Sequence, residues 1–508
     1  MVEEKSILAL QADLDSGAAT SEGLVEGYLA RIAALDRSGP TLQSVISINL
    51  EAVAQSASLD AERRTGRVRG PLHGVPILIK DNIETRELPT TAGSLALKDN
   101  LTRRDAPAMA RLRDAGAILL GKTNLSEWAN FRSSSALGGW SGVGGIVRNP
   151  YALDRNACGS SSGSGVATAA SLAAASIGTE TSGSIVCPAS VNGVVGLKPT
   201  VGLVSRSRVV PISASMDTVG PMTREVTDAA ILLAALAGFD PDDPATVEAD
   251  QRKCDYIADL RPDALEGRRL GVLRIGVGGH AATDRLFEKA LSDLRAAGAE
   301  LVDVAAPTFL SELGSAVGIV LRTEFKFGIE RYLADAAVEA RTLADLIAFN
   351  KRHADRELTL FGQELFELSE MTSGLDDPTY LVALATARRL SGPDGIDLLL
   401  QSARVDALVT ISSAPAWPSD PTGASRAAPV DVVAIMPAAA GYPHLTVPMG
   451  LALGLPVGLS FIGAAWTDAD LLAMGYAFEQ TAPRRSPPTY LSSINAKPHV
   501  AKAFSPAA

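Results

Sequence analysis

The chain of 508 residues carries 46 basic and 57 acidic side chains, a net charge of −11. Phosphate backbones are held by clusters of Lys and Arg, and no such block occurs, so no nucleic-acid partner is expected. The acidic balance favours solubility, and length alone suggests roughly two to four domains.

Residues 5–65 read as helical, with Leu24, Tyr28, Leu29 and Ile32 at helical spacing between charges. GPLHGVPILIK follows, a short apolar strand that ends at Lys80. Residues 108–116 suit an amphipathic helix with Pro107 in its first turn, and 117–120 a strand. Residues 133–165 are rich in glycine and serine and read as loop. The alanine-rich run 165–177 suits a buried helix. Two further segments punctuated by Gly and Pro alternate with short strands up to residue 222. From 236 to 406 the chain is more charged and mostly helical, most clearly over 343–368. It also holds a strand at 268–275, a helix at 285–297 and a strand at 300–304. A buried strand at 406–410 opens a C-terminal region of strands and turns, then helix. Such alternation argues an α/β fold in which helices cover a large sheet.

Residues 432–466 carry no charge, yet Pro437, Pro443, Pro448 and Pro456 interrupt them. A membrane-spanning helix needs about 20 apolar residues with their backbone bonded, so 445–448 and 456–461 read instead as buried strands. No membrane association is expected. The opening residues lack a basic region followed by an apolar one, so no signal peptide is expected in this chain. The expected location is cytoplasmic, or periplasmic or secreted had a leader been removed. Cys158, Cys187 and Cys254 are too few and too scattered for a disulfide framework or zinc knuckle, and read as small buried hydrophobes.

Two patterns match known motifs without their context, and a third falls short of its motif. Gly116 to Thr123 satisfies G-x(4)-G-K-[ST], but a helix precedes Gly116 and the intervening AILL is apolar strand, not an open nest of amides. Gly159-Ser160-Ser161-Ser162-Gly163 satisfies G-x-S-x-G and would make Ser161 the nucleophile of an α/β-hydrolase. That elbow needs a buried strand before it, and NPYALDRNAC is a polar loop. A triad would also need a histidine, and His73, His280, His353, His444 and His499 all read as surface or loop residues. Gly276-Val-Gly278-Gly279 follows a strand but has no third glycine at dinucleotide spacing, and reads as a turn. No metal-ligand spacing occurs.

Lys80 has two readings. A lysine at a strand end commonly reaches solvent. Held in an apolar setting, it would lose its charge at neutral pH and could serve as a base. Downstream, serine and glycine dominate 159–165, and GTETSGSIVCP follows, a composition that brings backbone amides close to a substrate. Ile177, Ile185 and Val186 flank the second loop and argue for burial at a sheet edge rather than a flexible linker.

The stretch CGSSSGSGVATAASLAAASIGTETSGSIVCPASVNGVVGLKPTVGLVS, with PLHGVPILIKDN upstream, resembles the amidase signature family. The resemblance extends over nearly all of the chain, through LGKTNLSEWANF and AGYPHLTVPMG. It implies a single domain, 1–508, with a large mixed twisted sheet covered by helices on both faces. Within it, 1–65 would be an N-terminal helical segment, 66–235 the core bearing the catalytic residues, 236–405 a more variable helical region and 406–508 the strands and helix that complete the core. It implies Lys80 as base, Ser160 as a bridging serine after a cis peptide bond, and Ser184 as nucleophile. The backbone N–H groups of Thr181, Ser182, Gly183 and Ser184 would form the oxyanion hole, Ser161 would support the constellation, and Ala129 would lie near the substrate. The implied reaction is amide hydrolysis through an acyl-enzyme, without metal or organic cofactor, in a monomer or homodimer. The sequence departs from the family's common GGSSGG as Cys158-Gly-Ser-Ser-Ser162-Gly163. It also has Ser182 where glycine or aspartate is usual, and Val186 where arginine is common. The strings ETSGSIVCPA, NLSEWANF and LIAFN…LFGQELF are most similar to peptide amidases, which release ammonia from C-terminal carboxamides. A general aliphatic or aryl amidase, the ammonia-supplying subunit of a tRNA-dependent amidotransferase and a Ser161 esterase are the other expectations.

Overall fold

Apolar runs of four to eight residues between turns become strands when both faces are covered, and that is how this chain builds its centre. The structure is a computed structural model that describes residues 2–422, 431–496 and 500. Its strands are β1 (Val45–Ile48), β2 (Pro76–Lys80), β3 (Ile118–Thr123), β4 (Trp140–Ser141), β5 (Gly145–Ile146), β6 (Ala175–Glu180), β7 (Val195–Lys198), β8 (Thr218–Thr223), β9 (Arg269–Leu273), β10 (Glu300–Val304), β11 (Ala407–Ile411), β12 (His444–Ala452) and β13 (Leu455–Ile462). Eleven of them form one sheet in the order β1-β3-β2-β6-β8-β7-β12-β13-β11-β9-β10, and β4 and β5 pair separately. The sheet is mixed: β3, β2 and β6 run parallel, as do β11, β9 and β10, and the middle is antiparallel.

Every residue of β2, β3, β6, β7, β8, β11 and β13 is buried, so both faces of the sheet are covered. The main core joins distant parts of the chain. It includes Ile7 and Tyr28 from N-terminal helices, Ile77 and Ile177 from adjacent strands, and Leu471 and Phe478 from the helix Asp468–Thr481. Among the described residues no helix is long and apolar enough to cross a membrane.

Several local expectations change. The alanine-rich run splits into a helix, Ser162–Ala169, and the strand β6, because a buried run of small residues does not encode helix or strand by its periodicity. The region 343–368 is likewise broken, into the helices Leu343–Arg352 and Ala354–Glu357 and the start of Glu364–Glu370. Glu357 is drawn into the interior there, accepting from Leu95 N at 2.8 Å and pairing with buried Arg132 at 3.3 Å. β1 interrupts the N-terminal helices. The charge-free stretch begins as the helix Asp431–Ala440, with Pro437 inside it, before the expected strands. The last residues of the segment 406–508, and His499 within it, lie outside the described residues.

Two strand positions set a stability contrast. Ile177→Ala should lower unfolding free energy by about 2–5 kcal/mol through lost burial and a residual cavity. Asp303→Asn on the edge strand, where the pairing with Arg274 is exposed, should change it by less than about 1 kcal/mol. Urea denaturation of both variants measures the difference.

Candidate active site

Parallel neighbours end at the same edge of a sheet, and ligands of open α/β sheets gather at such carboxyl ends. β2 and β6 are parallel neighbours, with Ile77 opposite Ala175 and Ile79 opposite Ile177. Lys80 therefore ends beside Thr179. The lysine is fully buried. Its Nζ lies 2.8 Å from Ser160 Oγ, 2.8 Å from Thr179 Oγ1 and 3.2 Å from the Thr179 carbonyl.

A neutral amine has two N–H donors and one lone pair, which suits two threonine acceptors and a donating serine hydroxyl. Burial pushes Lys80 down to about 7, against the weaker pull of Asp217 and Glu180. The adjacent carboxylate, Asp81, does not compensate it. Asp81 pairs with a second buried lysine of this edge, Lys122, at 3.0 Å. Burial pushes Asp81 up and Lys122 down, and each opposes the other's neutralisation. Lys80 is thus buried without a paired acid.

Ser160 is fully buried, and the Gly159–Ser160 peptide bond is cis. Its carbonyl accepts from Ser126 N at 3.1 Å. Ser161 is also fully buried. Its Oγ donates to the Thr179 carbonyl at 3.0 Å, and its N–H donates to the Ser184 carbonyl at 3.1 Å. It joins the two serine loops, and no strand precedes it as an elbow requires.

Ser184 stands in the turn between β6 and the helix Val186–Val191, with 7 % of its surface exposed. Gly183 before it has φ +78, a conformation that suits glycine. Among the described residues the hydrogen bonds join Lys80 to Ser160 and stop short of Ser184 Oγ. The two serines are brought to one place by the Ser161–Ser184 backbone bond.

Glu180 organises this turn. Its carboxylate accepts from Gly183 N at 2.8 Å, Ile185 N at 2.7 Å and Val186 N at 3.0 Å. The Gly183 amide, expected among the oxyanion donors, is therefore already committed. Asp217 acts similarly between this turn and the segment before β8, accepting from Thr181 Oγ1 at 2.5 Å, Ile212 N at 2.8 Å and Ser213 N at 2.9 Å. Burial raises its carboxyl above the ordinary range. The roles of Thr179, Glu180 and Asp217 have no motif of their own. The only sequence cue is that Thr179 and Glu180 directly precede the Thr181–Ser184 turn.

A cavity of about 710 Å³ opens beside these residues. Asn82, Ala129, Thr179, Thr181, Val210 and Asp217 line it. Ala129 belongs to a run of three left-handed non-glycine residues, Trp128 at φ 50, Ala129 at 52 and Asn130 at 74. Such backbone persists where its surroundings over-determine it, and Trp128 is packed edge-on against Phe366. A larger apolar cavity of about 910 Å³, walled by Ile411, Trp417 and Leu453, contains none of the predicted site residues.

The cysteine and histidine expectations need correction. Cys158 and Cys187 are buried but joined as a disulfide, and Cys254 is free and exposed. A sequence separation of 29 hides a Cα–Cα distance of 6.0 Å. His73 and His444 are buried rather than at the surface. Burial, helped by Lys198, holds His444 down at about 3, and its Nε2 lies 2.6 Å from Ser460 Oγ on the neighbouring strand. It is a neutral core residue outside the cavity.

Known proteins match along nearly the whole chain. The amidase family model matches residues 23–472. The native peptide amidase of Stenotrophomonas maltophilia is 50 % identical, covering 96 % of this chain and 99 % of that one with a TM-score of 0.92. A probable amidase of Arabidopsis thaliana is 39 % identical over 503 residues, 97 % of this chain and 92 % of the relative. A glutamyl-tRNA(Gln) amidotransferase subunit from a Synechococcus strain is 34 % identical, over 96 % of this chain and 94 % of its own.

Replacing Glu180 tests the turn without touching Lys80, Ser160 or Ser184. Glu180→Gln places an amide NH2 against N–H donors and should lower kcat about tenfold or more, with the far-UV spectrum retained. An unchanged kcat would remove Glu180 from the account.

Proposed function

This chain belongs to the amidase signature family and is an amide-hydrolysing enzyme, and we propose that it cleaves the C-terminal carboxamides of peptides, releasing ammonia, through an acyl-enzyme on Ser184. The observation that carries the relay is the 2.8 Å contact between Ser160 Oγ and a lysine that burial brings down to about 7, where a large share of it is neutral. The likeness to the peptide amidase supports the substrate class.

In this mechanism neutral Lys80 takes the Ser160 proton as Ser160 takes that of Ser184. Ser184 Oγ attacks the amide carbonyl. Hydrogen bonds in unliganded sites often tighten only on substrate binding, and the Ser160–Ser184 link is the one that must do so. The amides of Thr181, Ser182 and Ser184 hold the oxyanion, Gly183 being engaged with Glu180. The same relay protonates departing ammonia and then activates the water that cleaves the ester. Ala129 presents its backbone to the bound amide from the cavity wall. A peptide chain runs out through the cavity, away from the buried serines. Val186, in place of an arginine, leaves no cation directly after Ser184 in the turn, which fits a neutral carboxamide; Arg206 and Arg208 also line the cavity, Arg206 paired with Asp243.

Two measurements follow. The relay needs Lys80 uncharged, so kcat/KM should rise with pH through about 7 and level off above it. A limb near the ordinary lysine range would contradict a buried base. Ser184→Ala should lose covalent labelling by acylating inhibitors and about 10³-fold or more in kcat, whereas Ser161→Ala should still be labelled. Ammonia release from dipeptide amides by the isolated chain tests the substrate. Cleavage of aryl amides alone would leave a general amidase, and activity only with added partner chains would point to the amidotransferase reading.

A further inference from the structure

The relay proposed above depends on two separate segments keeping register, one carrying Ser160 and the other Ser184. Cys158 lies just before the first of these serines and Cys187 just after the second, and the two are joined as a disulfide. Hydrogen bonds tie the same segments on either side of it. Asn192 Nδ2 donates to the Ala157 carbonyl at 3.0 Å, and Ser161 N donates to the Ser184 carbonyl at 3.1 Å. Val191, Ala416 and Trp417 enclose the cysteines in apolar surroundings.

Packing alone does not call for the bond. A buried thiol behaves as a small hydrophobe and would fill the same space. The bond adds a covalent limit on how far the Ser160 segment can slide against the Ser184 turn. That is the one step of the relay for which the resting structure supplies no direct side-chain hydrogen bond. Lys80 comes from β2, outside the loop the disulfide closes, and so do the cavity residues Asn82, Ala129 and Asp217.

We propose, on the basis of the Lys80–Ser160–Ser184 reading, that the Cys158–Cys187 disulfide is a positioning clamp for the serine pair, so that turnover follows its redox state. A dithiol reductant supplies two electrons and two protons. The S–S bond breaks to two thiols while the reagent closes to a cyclic disulfide. The freed segments keep their hydrogen bonds but lose the covalent limit. Substrate binding rests largely on Asn82, Ala129 and Asp217 outside the loop, and the contacts that Thr179 and Ser160 inside it make with Lys80 are hydrogen bonds that the reduction leaves in place.

The test is run on Cys254→Ser protein, so that thiol counting reads only this pair. Steady-state hydrolysis of one dipeptide amide is measured for oxidised protein, for protein reduced with dithiothreitol and shown to carry two free thiols, for reoxidised protein, and for the Cys158→Ala/Cys187→Ala variant. Small displacements of reacting groups cost large factors in rate, so kcat should fall about tenfold on reduction and in the variant. KM and the acid limb of the pH profile should hold, and reoxidation should restore kcat. Unchanged kcat in the reduced protein or in the variant overturns the clamp. So does a parallel loss in which KM and the acid limb move as well, which would mark general loosening. If the bond resists the dithiol, the variant decides; if the variant does not fold, the reduced protein does. Hydrolysis retained by Ser184→Ala would bring down the relay itself. An inactive Ser184→Ala with redox-independent kcat brings down the clamp alone.

Discussion

An ammonium group buried without a carboxylate beside it is the constraint around which this site is arranged. Desolvation disfavours the charged form, and only a nearby acid could restore it. The nearest candidate by sequence, Asp81, faces Lys122 instead. Three buried lysines, Lys80, Lys122 and Lys198, thus enter the same sheet edge, and among the described residues only Lys122 has a carboxylate at ion-pair distance. Lys122 keeps a partner and serves the fold. Lys80 keeps only neutral oxygens from Thr179 and Ser160, and these match the donors and lone pair of an amine.

The remaining parts follow from where the chain must go to meet that amine. β6 lies beside β2 and delivers Thr179 to it, then turns at Thr181–Ser184. Three backbone amides of this turn and the helix after it converge on Glu180, so Ser184, the proposed nucleophile, is placed by main-chain hydrogen bonds rather than by packing of its own small side chain. The Ser160 loop reaches the same point from the other side. It is held by Ser126, by the Ser161–Ser184 bond and by the disulfide. The carboxylates of Glu180 and Asp217 hold the Thr181–Ser184 turn and the segment before β8 in place, and both sit at positions where a casual reading of the sequence sees only a solvated acid.

Much of the fold was legible. The apolar runs that became β2, β9, β11, β12 and β13, and the alternating ELVDV that became β10, were short and lie close to where the sequence pattern put them. The failures have a common cause. Residues 165–177 are small and wholly buried, so neither face carries a polar residue to reveal the period. The break after Arg352 depends on Glu357 finding Arg132, far away in the chain. The disulfide and the buried histidines likewise depend on distant neighbours, against which a count of cysteines and histidines is blind.

The residues of the candidate site were proposed from the sequence through family resemblance, because that resemblance rests on long strings rich in glycine, serine and alanine. Reading by residue type alone left Lys80 undecided between solvent and interior and pointed first to Ser161. Which lysine loses its charge, which amide remains for an oxyanion and which carboxylates are turned inward were decided by tertiary structure. Each of these is a matter of partners and solvent exposure, and those belong to positions brought together in space from strands and loops that the sequence keeps far apart.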